Sequence, residues 1–318
     1  MFSLSVYQNS SSDRLDKYLS QVLWFSRNFV AKLLDSKYIY ITKNQKKLFP
    51  KKSYIPSHKE DIYIDQIDRF ADSGILSESP NIDIDILYQN HSITHKSDYL
   101  IIYKPKWVLS HPNSIRDVTN PSVSGRLYHN FGQLPNIGNF VRAWLVHRLD
   151  KDTDGLMIVV LTEIWLSHFQ NLFQSKSTSN QKEQIPLRKF YKAKVQLSHE
   201  WKNFLSKINL PHTIELEINP KIPHYPKWII AITKILWYDI DSLTANIDIE
   251  IMTGKTHQIR YHLAYYWLPI VGDYLYNHLF DSKWPQMQLT AYRLEWQDIN
   301  WEYKILELES KHISKYIS

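Results

Sequence analysis

The sequence predicts an α+β protein in two parts: two short helices and two strands within the first 70 residues, then a longer strand-rich region. Three observations predict it. Apolar residues recur at helical spacing over residues 13–34, alternate in a two-residue rhythm from Tyr38 onward, and make up 43% of a chain with 22% charged residues, a globular composition. The 318 residues suffice for about two domains, each with its own core.

In order along the chain, Leu15, Tyr18, Leu19, Val22 and Leu23 form one helical face, and Phe29, Val30, Leu33 and Leu34 form a second after the Ser26-Arg27 break. Asp13 and Ser26 each offer a side-chain oxygen just before one of these runs and are the expected N-caps. Tyr38, Tyr40 and the run IYIT, then Ile62 and Ile64 in DIYIDQI, read as short strands with a Lys-rich loop between them. Residues 66–85, rich in Ser, Pro and Asp, read as a linker, which divides the chain into 1–70, 71–85 and 86–318. Beyond it ITHKSDYLIIYKP, GLMIVVLT, FYKAKVQL, WIIAITKIL, LTANIDIEIM and LTAYRLEW read as extended. LTEIWLSHFQNLFQ and THQIRYHLAYY read as helical, and the polar segment 174–186 reads as a surface insertion.

Composition removes several chemistries. There is no Cys, so disulfides, thiolate zinc sites and a cysteine nucleophile are excluded together. Only seven Gly occur, at 74, 125, 132, 138, 155, 254 and 272, and no GxGxxG, GxxxxGK[ST] or GxSxG can be written with them. No apolar run approaches the ~18 residues of a membrane span, and the first residues lack the pattern of a secretory leader. A cytoplasmic protein without a membrane partner is expected.

Charge is unevenly placed. Residues 1–70 hold 12 Lys+Arg against 7 Asp+Glu, a net of +5 out of +6 for the whole chain. Lys43, Lys46, Lys47, Lys51 and Lys52 fall within ten residues without an intervening acid. That density suits a phosphate-facing surface, and equally a solvated loop.

Two segments carry candidate chemistry. In His147-Arg148-Leu149-Asp150-Lys151-Asp152-Thr153-Asp154-Gly155, three carboxylates, a His and an Arg crowd onto a Gly-ended loop beside an apolar strand. A polar turn bonded to its own backbone would use the same residues. In Met252-Thr253-Gly254-Lys255-Thr256-His257-Gln258-Ile259-Arg260, a strand ends at a Gly turn and Thr256 is expected to cap a helix. Lys255 and Arg260 then oppose the helix dipole, which an anionic partner would explain. His257 and His262 lack metal-ligand spacing, and no metal is expected.

The first 50 residues resemble the small alpha-L RNA-binding domain of a small-subunit ribosomal protein, through RLDKYLS, SRNFVAKLL and the following strand. The glycine usual before that strand is replaced by Ser36-Lys37. The resemblance implies that Arg14, Arg27, Lys32 and the loop bearing Lys43, Lys46 and Lys47 face structured RNA.

The larger region resembles the RluA-type pseudouridine synthases. HRLDKDTDG, LIIYKPKWVLSHP at 100–112, KFYKA at 189–193 and MTGKTHQIRYHLAYYWLPIVGDYLY at 252–276 follow the family's motifs in family order. The resemblance implies a mixed, largely antiparallel sheet and cofactor-free isomerisation of uridine to pseudouridine. Asp150 matches the essential aspartate, Tyr191 the tyrosine that stacks on uracil, and Arg260 the arginine paired with the aspartate. Arg148 and Lys255 match basic positions near the flipped nucleotide. Asp154 stands where Ser is usual, Trp107 where Gly follows the lysine-proline pair, and Thr290 where His is frequent. The implied substrate is structured RNA, ribosomal before transfer RNA, met by a monomer. The residues also allow a silent RNA-binding factor that keeps the fold, or a hydrolase using Asp150 with Asp152 or Asp154.

Overall fold

The computed structural model describes residues 2–5, 13–22, 27–35, 37–43, 46–57, 61–64, 81–91, 97–112, 120–131, 145–178, 187–197, 205–218, 229–278 and 286–309. They fall into two compact units, residues 1–82 with 109–145, and residues 83–108 with 146–318.

In the first unit, helices α1 (Leu15–Val22) and α2 (Arg27–Asp35) bury Leu15, Leu19, Val30, Leu33 and Leu34. The antiparallel sheet β1-β4-β2-β3 contributes Ile39, Tyr40, Ile41, Ile62 and Ile64 to that unit's buried core. Its strands are β1 (Phe2–Ser5), β2 (Ile39–Lys43), β3 (Lys46–Leu48) and β4 (Asp61–Ile64). The expected Lys-rich loop is therefore in part a hairpin: β2 and β3 pair with Lys43 opposite Lys46 and Thr42 opposite Lys47. Asp13 is engaged by Lys17 Nζ at 2.9 Å, and Ser26 lies outside the described residues. After α2, Lys37 takes a left-handed backbone (φ 60) where the alpha-L pattern has glycine, and the amides of Lys37 and Tyr38 close the helix end on Leu34 O and Leu33 O, both at 3.0 Å. Helix α3 (Val123–Phe131), which the sequence pattern does not announce, starts at Ser122, whose Oγ accepts the Gly125 amide at 3.0 Å.

The second unit is built on a nine-stranded sheet. Its strands are β5 (Asp85–His91), β6 (Ser97–Lys104), β7 (Asp154–Val160), β8 (Leu187–Gln196), β9 (His212–Ile218), β10 (Ile229–Asp241), β11 (Thr244–Ile251), β12 (Leu289–Gln297) and β13 (Tyr303–Glu307). The order is β5-β6-β7-β12-β8-β11-β10-β9, with β13 on β12. Only β7 and β12 pair in parallel among the described strands, so the sheet is mixed and largely antiparallel, as the family resemblance implies. Helix α4 (Glu163–Thr178) lays Trp165, Leu166, Phe169 and Leu172, at i, i+1, i+4 and i+7, on a core with Tyr99, Ile101, Leu156 and Ile158. It runs five residues into the segment expected to be a polar insertion; 179–186 lie outside the described residues. Among the described residues no helix is long and apolar enough to cross a membrane.

The parallel contact depends on one glycine. Gly155 opposes Ala291 with φ 119, and a Cβ there would meet Ala291 O at 2.2 Å. The loop ending at Gly155 is thereby seated against β12, next to β8.

Candidate active site

The loop from His147 to Thr153 is held at several points. His147 Nε2 accepts the Ile158 amide of β7 at 2.8 Å, and the Thr153 amide donates to Asp150 O at 3.1 Å. Lys151 O accepts the Trp107 amide at 2.8 Å and Lys104 Nζ at 3.2 Å. Lys104 is fully buried; its ammonium also donates to Pro105 O and Val108 O, both at 2.8 Å. Burial lowers its pKa to about 7, against the pull of Asp154 and Asp150. The segment 104–108 and the Asp150 loop are thus one hydrogen-bonded body.

The TGKTHQ segment approaches from β11. Its helix α5 (Gln258–Tyr265) begins one residue later than the Thr256 cap requires: His257 is the N-cap, left-handed at φ 56, with no side-chain cap bond. The buried Gln258 side chain instead fixes the turn before the helix. Its Oε1 accepts the Lys255 amide at 3.0 Å and the Thr253 hydroxyl at 2.7 Å, while its Nε2 donates to Ile232 O and Thr233 Oγ1, both at 2.9 Å. A helix side chain thereby ties the preceding turn to β10.

These elements bring Asp150, His257 and Arg260 together. Asp150 Oδ2 lies 3.8 Å from Arg260 Nη1 and 3.8 Å from His257 Nε2. The short bonds of the guanidinium go elsewhere: Nε and Nη2 donate to the two oxygens of Asp273, each at 2.7 Å. The anion that explains a cation in this helical turn is therefore first Asp273, a fully buried carboxylate that also accepts the amides of Leu275 and Tyr276 at 3.0 and 3.1 Å. Burial opposes the charge on Arg260, and the bonds and charge of Asp273, with Asp150, more than offset it, so its pKa is raised. His257 donates to or accepts from Tyr276 OH through Nδ1 at 3.1 Å; burial holds its pKa below the usual histidine range despite Asp150.

Tyr191 sits in β8 opposite Ile249 and Ala291, buried, with Ala193 and Val195 on the same face as the alternation predicts. Burial, then the charge of Asp150, pushes its hydroxyl pKa far up, so the ring is neutral and near the carboxylate. Arg148 is exposed on the Asp150 loop, and its charge acts on His257; Lys255 is half-buried at the turn. Arg14 and Arg27 of the first unit both bind the buried Asp16, at 3.1 and 3.0 Å, with their guanidinium groups about half exposed. Lys43, Lys46 and Lys47 are exposed, Lys47 with its ammonium 3.9 Å from the Tyr40 ring centre; the Lys32 side chain lies outside the described residues. Asp154, a departure from the family pattern, is buried and accepts Tyr103 OH at 2.5 Å and Thr290 Oγ1 at 2.7 Å, with Lys106 Nζ at 4.0 Å. Trp107, another departure, takes a left-handed backbone (φ 64), a conformation that favours glycine. Sequence reasoning passed over Asp273, Gln258 and Tyr276; the G-D at the end of the fourth motif is the one signal that could have drawn attention to Asp273. Among the described residues no group of three His, Asp or Glu side chains is placed to hold a metal ion.

His262, on the inner face of α5, has Nδ1 2.9 Å from Thr233 Oγ1, and Nε2 without a partner among the described residues. Burial takes its pKa down to about 4. An unfolded histidine titrates near 6.5, so between those values the unfolded chain binds a proton that the folded chain refuses. The stability present above pH 6.5 is lost as the pH falls through this window, on the order of 3 kcal/mol. Urea titrations at pH 7 and pH 4.5 are expected to show a smaller loss for His262→Gln than for the parent.

A family model described as RNA pseudouridylate synthase matches residues 98–265. Over 278 residues the chain is 30% identical to an uncharacterized RNA pseudouridine synthase of Mycoplasma genitalium, spanning 86% of this chain and 80% of that protein. Over 213 residues it is 28% identical to ribosomal large subunit pseudouridine synthase D of Salmonella typhimurium, spanning 66% of this chain and 58% of that protein. The solved structure of human RNA pseudouridylate synthase domain containing 1 aligns with a TM-score of 0.48 at 18% identity, over 71% of this chain and 83% of that one.

Proposed function

The chain belongs to the RNA pseudouridylate synthase family, and from that premise we propose that Asp150 is the catalytic carboxylate of an enzyme acting on ribosomal RNA. The activity itself is that of the family: uridine in RNA is isomerised to pseudouridine. The bond from uracil N1 to ribose C1′ breaks, the base turns, C5 bonds to C1′, the C5 proton leaves and N1 takes one up. The atoms balance without a second reactant.

The observation that carries the assignment is the convergence of Arg260 and His257 on one oxygen of Asp150. A carboxylate beside the sugar can bond to or neutralise an electron-poor C1′. Arg260, anchored by Asp273, places a positive charge 3.8 Å from Asp150, and its anchor spares Asp150 from being consumed in a bidentate pair. A neutral His257 adds no second charge. Extruding the uridine costs a few kcal/mol, and stacking on the neutral ring of Tyr191 recovers ~1–3 kcal/mol. Arg148 and Lys255 meet the phosphates beside the flipped nucleotide.

The ribosomal target rests on the relative named for the large ribosomal subunit and on the basic first unit. Residues 1–70 act as an alpha-L type RNA-binding domain joined through 71–85 to a catalytic domain over 86–318, in a cytoplasmic monomer. In the β2–β3 hairpin, Lys43 and Lys46 stand directly opposite each other and both are exposed, as is the neighbouring Lys47. Changing Lys43, Lys46 and Lys47 to Ala is expected to reduce the slope of log affinity against log salt by about 2–3, near 0.9 per lost phosphate contact. Filter binding from 50 to 300 mM salt checks this; an unchanged slope assigns the hairpin to solvent.

The proposed target is tested by incubating the purified chain with unmodified ribosomal RNA and with unmodified transfer RNA. Mass mapping should find new pseudouridine in the ribosomal RNA. Product confined to transfer RNA overturns the target, and product in neither overturns the activity.

A further inference from the structure

The site has an aromatic exit. Tyr276, whose ring meets His257 at 5.6 Å and lies 5.2 Å from the Arg260 guanidinium, meets Tyr261 edge-on at 6.3 Å. Tyr261 lies nearly parallel to Tyr265 one helical turn on, at 6.5 Å and 26°. Both stand on the face of α5 opposite its buried Ile259, Arg260, His262 and Leu263. Past the helix end the indole of Trp267 meets the His278 ring at 5.6 Å and 89°. Ala264, Tyr265, Trp267 and His278 line an open depression of about 570 Å³.

Three features mark this as a surface built for a ligand. Tyr265 and Trp267 are 57% and 51% exposed, and Tyr274, in the turn pinned by Asp273, is 67% exposed. Trp267 occupies a left-handed backbone (φ 60), a conformation that disfavours a bulky side chain. The closing bonds from its amide to Ala264 O and from the Leu268 amide to Leu263 O, at 2.9 and 2.8 Å, hold the indole at the helix end without burying it. Exposed ring faces in a row stack on bases whatever their sequence, since every base has a π-face. The row starts at the arginine facing Asp150, so a strand delivering a uridine to Asp150 has neighbours within its reach.

We propose that the depression bounded by Tyr265, Trp267 and His278 receives a nucleobase of the RNA strand flanking the target uridine, stacked on the Trp267 indole and the Tyr265 ring. The choice of RNA as ligand rests on the proposed function, but the test does not use the reaction. Fluorescein-labelled octaadenylate, which contains no uridine, and an abasic octamer of equal phosphate count are titrated with the full chain by anisotropy. Trp267→Gly, which suits the left-handed backbone, and Tyr265→Ser, on an exposed position, are each expected to weaken octaadenylate about 10-fold, the affinity share of one stacked base, and to leave the abasic octamer unchanged. Parental affinity for octaadenylate in both variants overturns the proposal and leaves the face to a protein partner; equal weakening of both octamers in a variant that melts like the parent also overturns it. Failure of the parent to form pseudouridine in any RNA would remove the proposed function while leaving these titrations to decide the depression.

Discussion

Asp150→Asn is expected to lower pseudouridine formation at least about 10⁴-fold while leaving melting temperature and RNA affinity near parental values. The effect is expected to be large because, in the proposed reaction, the substitution removes the charge and basicity of the group assigned to the reacting sugar, and Asn can neither bond to nor neutralise an electron-poor carbon in its place. Stability should change little. The Asp150 side chain is partly exposed at 19%, its neighbours stand 3.8 Å away, and Arg260 keeps both bonds to Asp273. Product from isotopically labelled RNA is counted by mass spectrometry over a time course. A variant rate within about 100-fold of the parent takes Asp150 out of the reaction.

Asp273→Leu is expected to cost about 3–5 kcal/mol of stability and to inactivate the protein as well, because it leaves a buried guanidinium without its bidentate partner. It also strips the Leu275 and Tyr276 amides of their acceptor, so the turn carrying Tyr276 loosens beside His257. The double variant Arg260→Met with Asp273→Leu should regain part of that stability, since no unpaired charge remains buried, and none of the activity. Denaturant titration of the three proteins gives the free energies. A single variant within about 1 kcal/mol of the parent would mean that the pair contributes little to holding the fold.

Much of this arrangement is legible in the sequence, for reasons that also explain what is not. KFYKAKV reads as a strand with Tyr191 inward because a half-buried strand imposes a two-residue rhythm that burial then reproduces. The two helices of the first unit read well because their apolar residues follow one face. β3 escapes because its three residues are Lys, Lys and Leu, all exposed, and carry no alternation in hydrophobicity. The Thr256 cap is not found because the helix begins one residue later, with His257 as its N-cap, and the bonds from Gln258 to β10 that fix this turn are invisible to a rule about neighbouring residues. Asp273 escapes for the same reason: local sequence shows a carboxylate after glycine, and only the tertiary fold brings it to the guanidinium of Arg260, thirteen residues earlier.

The Asp154–Thr290 contact links the parallel strands β7 and β12 through their side chains as well as their backbones. A hydroxyl on β12 donates to a buried carboxylate at the start of β7. Without the hydroxyl, Asp154 would keep the bond from Tyr103 OH and the nearby Lys106 ammonium but lose one buried donor. The two positions are therefore coupled, and the stability effects of substituting them singly and together are not expected to add.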